Sequence, residues 1–152
     1  MREPTADEAR SLLAVERLQR AYADAVTRRA WLEVSSLFEQ GAVVHIDTRT
    51  RAPFEVVAPD DLVAFIARSL DAFDFFQFTI LNAVSEVDGS EASGRVHICE
   101  LRCDTDAVWT QAYGLYQDRY RRTDGVWRIS GRRYHSLART GPTVETFPLP
   151  PT

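Results

Sequence analysis

The chain has 152 residues, 45% of them apolar, and a formal net charge of −4. This length and composition predict one domain over residues 1–152, with a core large enough for a ligand cavity beside it. The arginines alternate with acidic residues, so neither nucleic acid nor an anionic membrane is expected as a partner. No apolar run could span a bilayer and the first residues lack the apolar stretch of a signal peptide, so we expect a cytoplasmic protein.

The first part of the chain is predicted to be helical. Thr5 and Glu8 form a capping-box pattern ahead of an amphipathic helix that runs to about Arg29. The segment AWLEVSSLF predicts a second, short helix that ends at Gly41, since glycine suits the left-handed conformation there. A strand is predicted over AVVHIDT. The segment PDDLVAFIARSL predicts a third helix with Pro59 in or near its first turn.

The rest of the chain predicts long antiparallel strands that alternate between apolar and polar residues. Asp124-Gly125 lies between two such runs and predicts a two-residue hairpin turn, because that turn needs residues that tolerate positive φ. After it, Trp127, Ile129 and Gly131 alternate with Arg128, Ser130 and Arg132, which indicates one apolar face and one wet face. Helices followed by a curved antiparallel sheet predict an α+β fold. The earlier strands are expected over residues 75–87, 91–103 and 108–122, with turns at Asp88-Gly89 and at DTD.

Cys99 and Cys103 are the two cysteines of the chain. On one extended strand their Cα atoms would be about 13 Å apart, well beyond disulfide reach, so reduced thiols are expected. The segment CELRC offers no further cysteine or histidine for a metal site. We expect neither a metal nor a cofactor.

Residues 138–152 form a proline-rich tail in which Phe147 and Leu149 are apolar enough to dock on the protein. We expect this tail to act as a lid, with Phe147 packing over the cavity mouth near Tyr22 and Tyr134. The lid would cover its own subunit or a neighbouring one.

Two segments, YADAVTRRAWLEVSSLF and YGLYQDRYRRTDGVWRISGRRY, together with the order of the elements, resemble the SnoaL-like branch of the nuclear transport factor 2-like superfamily. The resemblance covers roughly residues 8–137, and the branch includes scytalone dehydratase, hexachlorocyclohexane dehydrochlorinase, ketosteroid isomerase relatives and polyketide cyclases. It implies a cystatin-like α+β barrel or cone, in which N-terminal helices close the concave face of the sheet around an apolar cavity. It also implies homodimers or homotrimers formed through the other sheet face.

The dehydratase-like members of this branch use an aspartate late in the first helix and a histidine early in the first long strand as an acid–base pair. The matching positions in this chain are Thr27 and Phe78. Neither side chain can hold or move a proton at neutral pH, so the usual dyad is absent. Asp24 does not replace it, because it lies away from the apolar stripe of the helix, beside Arg20 and Arg28.

The two histidines within predicted strands are not favoured as substitutes. His45 lies between Val44 and Ile46, and His97 lies between Val96 and Ile98. If the apolar neighbours face inward, both imidazoles point to the opposite face of the sheet, although a bulge would reverse the direction of His45.

The predicted catalytic residues are therefore Tyr22, Tyr116, Asp118, Tyr134 and His135. A tyrosine can donate a hydrogen bond to a developing enolate oxygen, and an imidazole titrates near neutral pH. The alternative is that each tyrosine is a half-buried ring at the edge of the core. The ligand is expected to contact Val26, Thr27, Trp31, Phe78, Ile80, Val96, Ile98 and Phe147, with Tyr116 also on the cavity wall.

Three functions are compatible with this reading. The first is a lyase, isomerase or cyclase acting on an apolar cyclic or polyketide-like molecule with an unusual acid–base set. The second is a non-catalytic protein that binds an apolar small molecule in the same cavity. The third is a scaffold subunit like the small chain of a ring-hydroxylating dioxygenase. The sequence favours the enzyme narrowly, because the scaffold around the missing dyad resembles the catalytic branch.

Overall fold

The structure is a computed structural model that describes residues 1–141 and 143–152. Helices occupy the first half of the described chain and long strands the second half. The elements are α1 (Ala6–Thr27), α2 (Trp31–Ser36), β1 (Phe38–Asp47), β2 (Phe54–Val57), α3 (Asp60–Leu70), β3 (Phe73–Asp88), β4 (Glu91–Asp104), β5 (Trp109–Thr123), β6 (Val126–Arg139) and β7 (Glu145–Thr146).

Helix α1 begins as the sequence predicts. The Thr5 hydroxyl accepts a hydrogen bond from the Glu8 backbone N–H, and the Glu8 carboxylate accepts one from the Thr5 backbone N–H, which completes the capping box. One stripe of the helix is buried against the sheet and contributes Val15, Leu18, Tyr22 and Val26 to the core. The exposed Asp24 carboxylate accepts a hydrogen bond from Arg28, as expected for the solvated side of the helix.

The region after α1 differs from the prediction. Helix α2 ends at Ser36, and β1 already begins at Phe38, so Gly41 lies inside a strand and not after a helix. Its φ of +83° coincides with a shift in the pairing of β1 with β6 between Phe38 and Val43. The left-handed residue therefore forms an irregularity in the strand. The short strand β2 was not predicted, since four residues give little alternation.

The sheet has the strand order β2-β1-β6-β5-β4-β3, and β7 pairs with β6. All pairs are antiparallel except β1 with β6, so the sheet is mixed, not purely antiparallel. The two parallel strands are separated in the chain by all the other long strands, which gives the connection room to cross. The helices pack on one side of this curved, open sheet. The predicted α+β class, with helices on the concave face, is confirmed.

The hairpin between β5 and β6 is also confirmed. Asp124 and Gly125 have φ values of +52° and +77°, as a two-residue turn with two left-handed positions requires. Trp127 and Ile129 are buried on the strand that follows. Farther along the sheet, Cys99 and Cys103 lie on the single strand β4 and are free thiols, as their spacing predicted.

The inward face of β5 sets the space above the sheet. Ala112 pairs with Glu100 on one side and Arg139 on the other, and Gly114 pairs with Ile98 and with Ser136. Directly paired residues point to the same face of a sheet. Two successive inward positions of the central strand therefore carry almost no side chain, which leaves room beneath the helices. Within the described ranges, no helix is long and apolar enough to cross a membrane.

Candidate functional site

A cavity of about 270 Å³ lies between the inward face of the sheet and helices α1 and α3. An apolar cavity of about 150 Å³ can hold benzene, so this one has room for a substituted ring. Ten of the nineteen residues on its wall have purely apolar side chains, and the other nine carry a polar or charged group, so the cavity can bind an apolar ring and orient its polar atoms. It is formed by Tyr22, Val26, Val44, Ile46, Thr48, Leu62, Phe65, Ile66, Ser69, Leu70, Phe73, Phe76, Phe78, Glu100, Arg102, Tyr116, Arg132, Tyr134 and Arg139.

Arg132, on this wall, forms a buried ion pair with Asp118 behind it. Arg132 Nε donates to Asp118 Oδ1 and Arg132 Nη2 donates to Asp118 Oδ2, both at 2.7 Å. The side chains of Arg132 and Asp118 are 3% and 0% exposed. The Tyr120 hydroxyl donates to Asp118 Oδ2 and accepts a hydrogen bond from Gln19 Nε2, each at 2.9 Å. Asp118 is therefore occupied in holding Arg132 in place and does not itself lie on the cavity wall.

The Arg132 guanidinium packs against the aromatic rings of the cavity. Its Cζ lies 3.8 Å from the Tyr116 ring centroid and 4.3 Å from that of Tyr22, a cation–π arrangement. Its remaining nitrogen, Nη1, is buried and has no hydrogen-bond partner among residues 1–141 and 143–152. A buried donor without a partner is costly, so Nη1 can donate to a polar atom of a ligand.

Three tyrosines on the wall remain protonated at neutral pH. Burial raises the pKa of Tyr22 and of Tyr116, and the positive charge of Arg132 only partly opposes this effect. Burial and the nearby Glu100 raise the pKa of Tyr134 to about 12. All three hydroxyls can therefore donate hydrogen bonds without changing charge. The structure places these three predicted residues together at the cavity.

Glu100 is one of the polar groups of the wall that our sequence interpretation missed, together with Arg102, Arg132 and Arg139. Its carboxyl lies on the wall, 3.7 Å from Arg102 Nη1, and its side chain is 22% exposed. Burial raises the pKa of this carboxyl, although the charges of Arg102 and Arg139 act in the opposite direction. A partly buried carboxyl with a raised pKa is a stronger base than an exposed one, which suits it to accept and return a proton.

The position of the Tyr134 ring depends on the absence of a side chain at Gly114. A Cβ atom at Gly114 would lie 3.0 Å from both Cζ and the hydroxyl oxygen of Tyr134, and closer still to Cε2. The Tyr134 ring therefore packs directly on the backbone of β5. Any residue at position 114 other than glycine would place a Cβ atom where this ring lies.

The two positions of the missing dyad do face each other. The Thr27 hydroxyl donates to the Ala23 carbonyl at 2.8 Å and accepts from the Phe78 backbone N–H at 3.0 Å. Phe78 lies on the cavity wall, but Thr27 is used to tie α1 to β3 and does not reach it. The predicted contact of Thr27 with a ligand is therefore not seen.

Several other predicted ligand contacts lie outside the wall. Val96 and Ile98 are 2% and 0% exposed, because they fill the core. Ile80 precedes an irregularity in the pairing of β3 with β4, which ends at Asn82 and interrupts the alternation there. Trp31 packs against the core from α2. Of the predicted ligand-binding set, the cavity wall includes Val26 and Phe78, and it excludes Thr27, Trp31, Ile80, Val96, Ile98 and Phe147.

His135 and the tail also lie away from the wall. Since Tyr134 points inward, the next residue points outward, and His135 Nε2 lies 3.2 Å from Gln117 Oε1. Burial lowers the pKa of His135. In the tail, the Phe147 backbone N–H donates to the Leu137 carbonyl at 2.8 Å, and Gln117 donates to the Pro151 carbonyl. Glu145 and Thr146 pair with β6, and the described tail residues are not on the cavity wall of their own subunit, so the predicted lid over the same subunit is not seen. A lid over a neighbouring subunit stays a prediction.

The other two histidines face away from the cavity as well. His45 Nδ1 lies 3.0 Å from Glu55 on the neighbouring strand, and His97 pairs with Leu115 while both of its neighbours are buried inward. Both positions agree with the alternation in the sequence. Among the described residues, no group of three His, Cys, Asp or Glu side chains could hold a metal ion.

A known family matches most of the chain. The SnoaL-like domain matches residues 7–133, and the chain belongs to this family within the nuclear transport factor 2-like superfamily. No curated protein sequence is significantly similar to the chain.

Solved structures share the fold at low sequence identity. LinA is 20% identical, with a TM-score of 0.79 over 95% of this chain and 97% of LinA. A scytalone dehydratase-like protein from Novosphingobium aromaticivorans is 18% identical, with a TM-score of 0.78 over 93% and 95% of the two chains. A protein with a cystatin-like fold from Caulobacter vibrioides is 14% identical, with a TM-score of 0.67 over 82% and 87%. At these identities the similarity establishes the fold and not the reaction.

Proposed function

We propose that this protein is an acid–base enzyme, a lyase, isomerase or cyclase, that acts on a small cyclic and largely apolar molecule in the cavity. The observation that carries the proposal is the Glu100 carboxyl, which lies on the cavity wall, has a raised pKa and is near the protonated Tyr134. A base and a neutral hydrogen-bond donor in one cleft are the groups that proton abstraction next to a carbonyl requires.

In the proposed mechanism Glu100 accepts a proton from a carbon next to a carbonyl of the substrate. The electron pair of the broken C–H bond moves toward the carbonyl oxygen, where the Tyr134 hydroxyl stabilises the developing charge. Arg132 Nη1 and the hydroxyls of Tyr22 and Tyr116 bind polar atoms elsewhere on the ring. Glu100 then returns the proton to another carbon in an isomerisation, or the electron pair expels a leaving group in an elimination.

The relatives give this proposal limited support. One group of similar structures is described as hexachlorocyclohexane dehydrochlorinase, and another similar structure is scytalone dehydratase-like. Both names denote eliminations, which begin or proceed with loss of a proton. The proposed base differs from the usual one, because Thr27 and Phe78 occupy the dyad positions.

Hydrogen–deuterium exchange tests the proposal without knowledge of the full reaction. The protein is incubated in D₂O with a panel of cyclic ketones, and exchange next to the carbonyl is followed by NMR. Glu100→Gln should slow the exchange by at least about 100-fold, since general base catalysis contributes that much or more. Glu86→Gln, a matched change at an exposed position of β3, should leave it unchanged. Exchange that is equally fast in Glu100→Gln would contradict the proposed base.

A non-catalytic binding protein is the second candidate. The replacement of both residues of the usual acid–base dyad, by Thr27 and Phe78, favours it. Thr27 cannot act as a base, and its hydroxyl is already bonded to Ala23 and Phe78. If the protein binds cyclic molecules but catalyses no hydrogen–deuterium exchange in them, it is a binding protein and not an enzyme. A scaffold subunit is less well supported, because the cavity is not filled by the protein's own side chains.

We also propose that the protein forms a homodimer or homotrimer in the cytoplasm, through the sheet face that the helices leave open. Val43 and Val84 on this face are 37% and 47% exposed, and both line the same broad groove. Burying such side chains is favourable. Light scattering should show an oligomer, and Val84→Glu should yield a smaller species.

A further inference from the structure

We propose that the ligand of the cavity is a small cyclic carboxylate, and that Arg102 and Arg139 bind its carboxylate group beside Glu100. This inference rests on the proposed use of the cavity as a ligand site, but it concerns binding and not turnover. Three observations support it: the excess of positive charge on the cavity wall, the hydrogen bonds that fix the Nε atoms of Arg102 and Arg139, and the position of Glu100 next to both arginines.

The charges on the wall favour an anion. Three arginines line the cavity, Arg102, Arg132 and Arg139, and among the described residues Glu100 is the one acidic side chain on the wall. Asp118 neutralises the charge of Arg132 and already accepts three hydrogen bonds, so it does not neutralise Arg102 or Arg139. Arg102 and Arg139 therefore share a single carboxyl. In a partly buried site, the remaining positive charge attracts a negatively charged group strongly.

The two arginines are anchored through Nε and so present their outer nitrogens to a ligand. Arg102 Nε donates to the Thr110 hydroxyl and Arg139 Nε donates to the Ser136 hydroxyl, both at 3.2 Å. Within the described residues, neither guanidinium makes a hydrogen bond through Nη1 or Nη2. The Nη1 atom of Arg102 is in a loose ion pair with Glu100 at 3.7 Å. Anchored guanidinium groups are well suited to planar carboxylates.

The strand register explains why these groups converge. Glu100 on β4 and Arg139 on β6 both pair with Ala112 on β5, so they lie on one face with only a methyl group between them. Arg102 is the next inward residue of β4 and pairs with Thr110. A carboxylate placed above Ala112 would therefore meet Glu100 as well as the two arginines.

This geometry couples ligand binding to protonation of Glu100. A second carboxylate beside Glu100 disfavours its ionised form, so the pKa of Glu100 rises further on binding and a fraction of the complex takes up a proton there. The fraction in which Glu100 stays ionised is the form that would act as the base in the proposed reaction. Burial already favours the protonated form. The charged and titratable groups that face Glu100 are Arg102 from its own strand, Arg139 and Tyr134 from β6, Tyr116 from β5 and Tyr22 from α1. The tyrosines remain neutral, so Glu100 is the group that titrates.

The rest of the wall accepts a ring. The volume of about 270 Å³ exceeds by about 120 Å³ the ~150 Å³ that holds benzene, which leaves room for a carboxylate and one or two further substituents. Apolar side chains line much of the remaining wall. Leu62, Phe65 and Ile66 come from α3. Phe73, Phe76 and Phe78 come from the start of β3, beside Arg102 and Glu100.

Calorimetric titration of the full chain with matched probes tests the inference. Benzoate and cyclohexanecarboxylate are compared with benzamide and cyclohexanecarboxamide, which have the same shape but no charge. We expect the acids to bind at least about tenfold more tightly than the amides. Arg139→Gln and Arg102→Gln should each weaken binding of benzoate by about tenfold or more and leave binding of benzamide unchanged. Arg95→Gln, an exposed change on the opposite sheet face, serves as the matched control.

Proton uptake provides a second measurement that does not depend on the arginine variants being folded. The wild type is titrated with benzoate at a series of pH values above 4.5, in buffers of different ionisation enthalpy, and binding should take up protons at the pH values where free Glu100 is ionised. Glu100→Gln should abolish this uptake. Binding of benzoate without proton uptake would overturn the role of Glu100, and equal affinities for benzoate and benzamide would overturn the carboxylate ligand.

The outcomes also separate this inference from the proposed enzyme. If the acids bind as described but no ketone or acid of the panel exchanges protons, the carboxylate ligand stands and the enzyme proposal fails. If exchange depends on Glu100 but amides bind as tightly as acids, the enzyme proposal stands and the carboxylate ligand fails.

Discussion

Arg132 and Asp118 form a bidentate ion pair that is almost fully buried, with both N–O distances at 2.7 Å. The pair connects the core to the cavity, because Asp118 is also bonded to Tyr120 while the outer nitrogen of Arg132 lies among the aromatic rings of the wall. Burial acts to lower the pKa of Arg132, but the Asp118 carboxylate outweighs it and raises the pKa. The guanidinium is thus a fixed positive donor at every physiological pH.

Removing Asp118 should be among the most damaging single changes to this protein. Asp118→Ala leaves the Arg132 charge buried without a partner, so we expect a loss of about 3–5 kcal/mol in the free energy of unfolding, measured by urea denaturation. The double variant Asp118→Leu with Arg132→Met should recover much of that loss, since no charge is left buried. Arg119→Gln, an exposed neighbour of Asp118, should change stability by less than about 0.5 kcal/mol. Similar stabilities of Asp118→Ala and Arg119→Gln would contradict this account.

Arg132 also shows why part of the site could not be predicted from the sequence. Alternation from Ile129 placed Arg132 on the wet face, but the pairing with β5 jumps from Tyr120–Ile129 to Arg119–Gly131. Ser130 is thus an extra residue, and it turns Arg132 inward. Such a bulge inverts the face of the residues that follow, up to the next irregularity between Ser136 and Ala138. Gly131 is the one local signal of it, since an isolated glycine inside a strand often indicates a bulge, but glycine alone does not say which residue is the extra one.

Glu100 is different, because alternation alone could have found it. Val96 and Ile98 were expected to face inward, and Glu100 continues the same period two residues later. The α+β class and the β5–β6 hairpin were predictable because local patterns determine them. The pairing of β1 with β6 and the path of the tail depend on contacts between distant segments, which local patterns do not encode.

Gly114 should determine whether the cavity keeps its shape. Gly114→Ala places a methyl group where the Tyr134 ring lies, so the ring must move and we expect a loss of about 1–3 kcal/mol in stability. In a Tyr134→Ala background the same change should cost much less, because the obstacle is gone. A double-mutant cycle by thermal or urea denaturation measures this coupling, and additive effects would show that the ring does not depend on Gly114.

Glu100 should make stability depend on pH. Burial raises its pKa above the ordinary value of 4.5, so the folded state holds a proton that the unfolded state has lost. The stabilisation from this group is fully present below the unfolded pKa and is lost as the pH rises through the folded pKa. Glu100→Gln cannot titrate, so its stability relative to wild type should increase as the pH rises above about 4.5. Urea denaturation at a series of pH values checks this, with Glu86→Gln as control. A constant difference between wild type and Glu100→Gln would show that the pKa is not raised.

The tail should stabilise the sheet edge without controlling access to the cavity. Deletion after Gly141 removes the pairing of Thr146 and Glu145 with β6 and the contact of Phe147 with Leu137. These few bonds lie near the surface, so we expect a loss of about 1–2 kcal/mol in the free energy of unfolding.

Affinity for benzoate should change by less than about threefold after this deletion, because the described tail residues do not lie on the cavity wall and Arg139 stays anchored to Ser136. Phe147→Ala provides the matched control, since it removes the ring beside Arg49 but keeps the backbone pairing. If the deletion weakens benzoate binding tenfold and Phe147→Ala does the same, the Phe147 side chain closes the cavity after all. If only the deletion weakens binding, the pairing of β7 with β6 is what positions Arg139. Calorimetric titration of the three proteins distinguishes these results.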